Sequence, residues 1–175
     1  MSLKLSEIFP SVIRGIRNIE RDVIRTGGRP AAELMKEDIV KSIERGNSPV
    51  DGEGRFEKYS SSYINAIKKG RIPSKRARPV NLKVTGELLK SIASKITSTG
   101  FKIFFRKKVN GKDLAGIHSF EGAGKSKTIR MIMPDKDGDY KRSVKLRADK
   151  LLIKVTNDVL VRHLRRFKWQ KNKNQ

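Results

Sequence analysis

Apolar residues recur along the first forty-five positions with a helical period. Val12, Ile16, Ile19 and Val23 fall at heptad-like spacing, Ile13 and Ile24 widen the stripe, and Arg14, Arg17 and Arg21 lie off it. The pattern predicts a helix over 10–26, with Pro10 in its first turn and Gly27-Gly28 ending it. A second helix is expected from Pro30 to Arg45, burying Leu34, Met35, Ile39 and Ile43, with Gly46 just past its end. The period then fails. Three glycines and Pro49 between Gly46 and Tyr59 exclude regular structure, while Val50, Phe56 and Tyr59 give that loop groups to pack. A short helix near Ser61–Lys69 follows.

Thr85-Gly86 opens another short helix, over 85–94, with Thr85 as its cap, Glu87 in its first turn and Leu88, Leu89 and Ile92 facing inward. Ser94–Ser98 and Phe101–Val109 alternate around Thr99-Gly100, which predicts a β-hairpin. Asn110-Gly111 signals a turn, Leu114–Phe120 and Thr128–Met133 are further strand candidates, and Asp135–Asp139 reads as a turn. From Arg142 to Arg166 the period is helical again, with Val144, Ala148, Leu151, Val155 and Val159 as the seam and Leu152 beside it. This order predicts an α+β fold: a small antiparallel β-sheet covered by helices, with N-terminal helices and a long C-terminal helix. The expected organisation is a helical extension over 1–28, a core domain over 29–166 and a basic, flexible tail over 167–175.

Charge sharpens this picture. Lys and Arg number 41 against 18 Asp and Glu, a formal net charge of +23. Such self-repulsion calls for a polyanion or an acidic neighbour as counter-charge. From Lys58 to Lys83, both included, there are eight basic residues and no acidic one, which predicts an exposed basic loop. Its Lys68, Lys69, Arg71, Lys75, Arg76 and Arg78, together with Arg162, Arg165, Arg166 and Lys168, are the candidate polyanion contacts. No helix-turn-helix, zinc-finger or RNA-recognition signature accompanies them, so sequence-specific readout is not indicated. A solvated face, or one that meets acidic subunits, accounts for the same residues.

Candidate chemistry is sparse. Cysteine is absent, which removes disulfides and thiolate chemistry and fits a reducing cytoplasm. The first residues hold no apolar signal region, and no run is long enough to span a bilayer, so a soluble, non-secreted chain without membrane contact is expected. Gly124-Lys125-Ser126 invites a phosphate-loop reading, but that motif needs a glycine at 119, where Ser119 stands, and a helix after it. Asp135, Asp137 and Asp139 begin like a calcium loop, yet Gly138 comes too early and Leu146 occupies the position of the closing glutamate. An Asp-Gly turn whose carboxylates offset Lys136 and Lys141 explains them better. His118 with Glu121 makes neither a zinc site nor a triad, and Asp51 and Glu53 lie in a loop with no pocket signature. No catalytic residue, cofactor site or metal site is nominated, and a non-enzymatic protein is expected.

Several motifs nevertheless occur in a telling order. Ser48-Pro49 precedes Asp51-Gly52, Phe56-x-x-Tyr59 and Tyr63; Val80-Asn81-Leu82 leads into Thr85-Gly86-Glu87-Leu88-Leu89-x-Ser91-Ile92; Ala115-Gly116-Ile117-His118 is followed by Glu121-Gly122, then Ile129-Arg130 and Pro134. Over about 30–162 this resembles the virion-morphogenesis family of tailed bacteriophages, the tail-completion or neck proteins of the head–tail junction. The basic stretch at 68–83, the long N-terminal helix and the lack of an aromatic in 129–134 depart from the usual pattern. The resemblance implies a structural subunit of the virion, made in the host bacterial cytoplasm. Its expected assembly is a ring, commonly hexameric, that caps the tail tube, docks to the connector or adaptor, meets a sheath if one is present and lies close to genomic DNA. Mobile loops with a few anchors suit such contacts, and Ser48, Pro49, Asp51, Phe56, Tyr59, Glu121, Gly122 and Lys125 are the candidate contact residues. The other function class left open by the charge is nonspecific DNA or RNA binding.

Overall fold

A computed structural model describes residues 5–72, 79–80, 82, 86–109, 111–123 and 127–173, with side chains for all of these except 5–9, 11, 109 and 167–173. Helix α1 runs over Leu5–Glu44, α2 over Ser61–Lys68 and α3 over Glu87–Lys90. Strands β1 (Ile92–Thr97) and β2 (Gly100–Phe105) form one antiparallel ladder, and β3 (Lys108–Val109) and β4 (Lys112–Asp113) form another. A single turn α4 (Leu114–Gly116) passes into a π turn over Ile117–Glu121, and α5 (Arg142–Lys173) completes the chain. The fold class is α+β, as expected.

The two N-terminal helices expected from the sequence are one. Gly27-Gly28 does not end the first, because both glycines sit buried inside α1. A Cβ on Gly27 would stand 3.2 Å from Leu152 and 3.3 Å from Val155, so the missing side chain lets α1 and α5 approach closely. Pro10 and Pro30 also lie within the helix. Pro30 removes one backbone donor, and the packing of Ala31, Met35, Ile39 and Ile43, four residues apart and buried, outweighs that loss. The helix ends where expected: Gly46 takes a positive φ of 81° and donates to the Ile43 carbonyl at 2.9 Å.

Helices α1 and α5 pack antiparallel. Arg147 on α5 reaches Asp38 and Glu37 on α1 at 2.8 and 3.2 Å, and farther out His163 meets Asp22 at 3.1 Å. The seam expected on α5 is there, with Val144, Ala148 and Val159 buried and Leu151, Leu152 and Val155 half-buried. The β1–β2 hairpin lies against α1 and contributes Ile92, Ala93 and Phe105 to the core. Its turn is Ser98-Thr99, since Thr97 pairs with Gly100, one residue earlier than expected.

Three local expectations are corrected. The helix over 85–94 is a single turn, α3, preceded by Gly86 at φ 77°, and Ile92 already belongs to β1; Thr85 lies outside the described residues. Leu88, Leu89 and Ile92 are buried as expected. Leu114–Phe120 is helical rather than a strand, because the Asp113 carboxylate accepts from Ala115 N–H at 3.0 Å and turns the chain into α4. Thr128–Met133 joins no ladder beyond one bridge from Thr128 to Ala123, and its amides bond side chains and a loop carbonyl instead.

Candidate functional site

The loop after α1 is held from inside. Ser48 Oγ donates to the Met131 carbonyl at 2.6 Å and accepts from Val50 N–H at 3.1 Å. Its own carbonyl accepts from Lys141 Nζ at 2.8 Å, while Lys141 N–H donates to the Pro49 carbonyl at 2.8 Å and Asp51 N–H to that of Asp139 at 2.9 Å. Ser48, Pro49, Val50 and Phe56 are all buried. Of the candidate contact residues, then, Ser48, Pro49 and Phe56 serve the chain's own core, and the surface offered to solvent is Asp51–Arg55.

A second buried serine organises the segment opposite. Ser119, in the π turn, accepts at Oγ from Ile132 and Met133 N–H at 3.1 and 3.3 Å. Arg130 N–H donates to the His118 carbonyl at 2.7 Å. The Arg130 side chain, only 7% exposed, turns inward to donate from Nη2 to the carbonyls of Glu57 and Lys58 at 3.3 and 3.4 Å. Its guanidinium lies over the Tyr59 ring at 5.3 Å, and Tyr59 and Tyr63 rings lie 4.8 Å apart. Among the described residues no carboxylate forms an ion pair with Arg130, and Arg130 Nε and His118 Nδ1 find no hydrogen-bond partner.

The electrostatics follow from that burial. Desolvation draws the Arg130 pKa below its ordinary value, with the tyrosines and Glu57 pulling it back up. Burial holds the His118 imidazole below its usual pKa, and the Arg130 charge adds to the effect, so His118 is neutral near pH 7. Burial raises the Tyr63 phenol and pushes Tyr140 up to about 12.

Residues that the sequence places up to 71 positions apart thus meet around one guanidinium: Tyr59 and Tyr63 from the first loop and α2, His118 from the π turn, and Arg130 itself. Arg130 was named in the sequence only as part of Ile129-Arg130. Its role as the hub was missed, and the signal available was its lone position between apolar residues 129 and 131–133. Glu121 is exposed and pairs with Lys112 at 2.9 Å. Gly122 is structural: at φ 79°, a Cβ there would stand 2.1 Å from the Lys127 carbonyl oxygen. Lys125 lies outside the described residues.

The basic candidates divide. Lys68, Lys69 and Arg71 are exposed at the end of α2, and Arg162, Arg165 and Arg166 are exposed on α5. Lys75, Arg76 and Arg78 lie outside the described residues, as does the side chain of Lys168. In the Asp135–Asp139 turn, Asp135 accepts from Asp137 N–H at 3.2 Å and Asp139 pairs with Lys145. Lys141, expected to be offset by these carboxylates, instead bonds Ser48. Among the described residues no group of His, Asp and Glu is arranged to hold a metal, and no helix is long and apolar enough to cross a membrane.

No family model, curated protein or solved structure matches the chain. What the arrangement around Arg130 does is tie the loop before α2, the π turn and the segment after it to one another.

Proposed function

We propose that this chain is a non-enzymatic structural subunit of a tailed-phage particle, completing the tail or neck as a ring at the head–tail junction. The observation that carries the reading is the convergence on Arg130. The scattered residues of the family-like motif (Ser48-Pro49, Tyr59, Tyr63, His118 and Arg130) belong to one cluster or to the loops tied to it. A motif set that is one physical unit is better support for the resemblance than isolated matches. Neighbouring connector and tail-tube subunits are the proposed partners, with a hexamer as the proposed ring. Mass spectrometry of particles purified from cells that produce the chain should find it in several copies per particle, and loss of the gene should leave heads without joined tails. Particles that lack the chain yet are complete and infective would remove this reading.

The exposed cluster Lys68, Lys69 and Arg71, which forms no ion pair among the described residues, favours a second reading as a nonspecific nucleic-acid binder. That reading requires DNA affinity that falls steeply with salt. Negligible binding at physiological salt ends it.

A further inference from the structure

Helix α1 carries a row of arginines that the core does not use. Arg14, Arg17, Arg21, Arg25 and Arg29 follow one another at spacings of three, four, four and four residues, and all are exposed. At about 100° per residue they fall within one arc of about 120° and span roughly 22 Å of helix. Val12, Ile16, Ile19 and Val23 centre on the opposite side. Little within the chain neutralises the row. Arg25 pairs with Asp22 at 3.2 Å, and Asp22 is shared with His163 of α5. Arg14, Arg17, Arg21 and Arg29 form no ion pair among the described residues. By helical spacing the two acids of this stretch, Glu20 and Asp22, lie outside the arc, one on each flank.

The row leads into a concave basic site. At Arg29 an open pocket of about 440 Å³ lies between α1 and β1, with Arg29, Lys36 and Arg106 in its lining against one carboxylate, Glu33. That carboxylate is already held by Lys36 at 2.8 Å and Ser94 at 3.3 Å. The hairpin beside the pocket, residues 92–106, contains Lys95, Lys102 and Arg106 and no acid. Lys95 and Lys102 stand directly opposite each other in the ladder, both exposed. Like charges so placed repel, and a bound anion relieves the repulsion.

Arginine forks bind phosphate and carboxylate alike. Pattern separates the partners. A straight row that repeats about every 6 Å suits an anion that also repeats along a line, as a duplex does with a phosphate every 3.4 Å or so of axis on each strand. No aromatic stands between Arg14 and Arg29 for unpaired bases to stack on. The apolar stripe that a lipid surface would need is half-buried at Ile19 and Val23. We infer that the outer face of α1, from Arg14 to the pocket at Arg29 and Arg106, is a track for the phosphate backbone of duplex DNA, gripped without regard to sequence. This rests on the nucleic-acid reading above and gives it a surface other than the Lys68–Arg71 cluster; the virion reading stands or falls separately.

Fluorescence anisotropy of a labelled duplex of about 20 base pairs, titrated with the full chain over about 0.05–0.2 M salt, tests it. The wild-type affinity should fall with a log–log slope of about −4 or steeper. A row variant, Arg14→Gln with Arg17→Gln and Arg21→Gln, should lose about 3 of that slope and at least about tenfold in affinity near 0.1 M salt. Lys68→Gln with Lys69→Gln and Arg71→Gln removes the same charge away from the row and should change the slope by less than about 1. If circular dichroism shows the row variant unfolded, Arg29→Gln with Arg106→Gln should still remove about 2. A folded row variant that keeps the wild-type slope, or equal losses in the row and Lys68 variants, overturns the inference and leaves the nucleic-acid reading to other residues. A wild type with negligible duplex affinity at physiological salt ends both. Polyglutamate that displaces the duplex as well, charge for charge, would assign the row to an acidic protein and overturn the inference.

Discussion

The guanidinium of Arg130 lies 5.3 Å from the centre of the Tyr59 ring, and no carboxylate among the described residues pairs with it. A buried cation held by an aromatic face and two backbone carbonyls is costly to disturb, since removing it strands the carbonyls of Glu57 and Lys58. Arg130→Ala should destabilise the chain by about 2–4 kcal/mol in chemical denaturation. Arg130→Lys should recover little of this, because an ammonium cannot reproduce the planar stacking or the paired donation. Full stability in either variant would show that the cluster is not a structural hub.

Ser48→Ala removes the donor to Met131 and the acceptor for Val50 N–H together. Both partners are left in the buried side of the loop, so the expected loss is about 1–3 kcal/mol. Amide exchange at Val50 should accelerate more than at α5, which distinguishes loop release from global weakening.

Titration of His118 gives a signed prediction. Its folded pKa is depressed by burial and by Arg130, so between the folded and unfolded values the unfolded chain binds the extra proton. Stability is therefore complete above the unfolded value of about 6.5 and is lost as pH falls through it toward the folded pKa. Asp22, Glu33 and Asp139 are shifted down as carboxylates, led by the hydrogen bonds from His163, Lys36 and Lys145, and act only in more acidic solution. Melting temperature measured from pH 7.5 to 5.5 should fall in the wild type, and His118→Gln should flatten that dependence.

Two glycines on α1 should respond oppositely to alanine. At Gly27 the new methyl meets Leu152 and Val155 at 3.2–3.3 Å and should push the helices apart, costing about 1–3 kcal/mol. At Gly15 nothing lies within 4 Å, so Gly15→Ala should stabilise by about 0.5–1 kcal/mol through helix propensity alone. Equal effects at the two positions would contradict the close crossing.

Local rules carried much of the fold into view. The α5 seam, the end of α1 at Gly46 and the inward Leu88, Leu89 and Ile92 all follow from periodicity and capping. The failures share a cause. Gly27-Gly28 reads as a stop only until a second helix 125 or more residues away needs the space. Thr128–Met133 alternates like a strand, but its partners are the side chains of Ser48 and Ser119 and the His118 carbonyl, which no local pattern announces. The Arg130 cluster was legible as separate motifs and not as a cluster, because a cation facing an aromatic ring across 71 positions leaves no periodic trace.

Arg147 and its partner Glu37 stand 110 residues apart. At a synthesis rate of roughly 5–20 residues per second, α1 is made on the order of ten seconds before α5 can cover it. Helix α5 is also the last of the described elements to be made. Timing is thereby written into topology: the apolar face of α1 stands uncovered until the residues of α5 have been made.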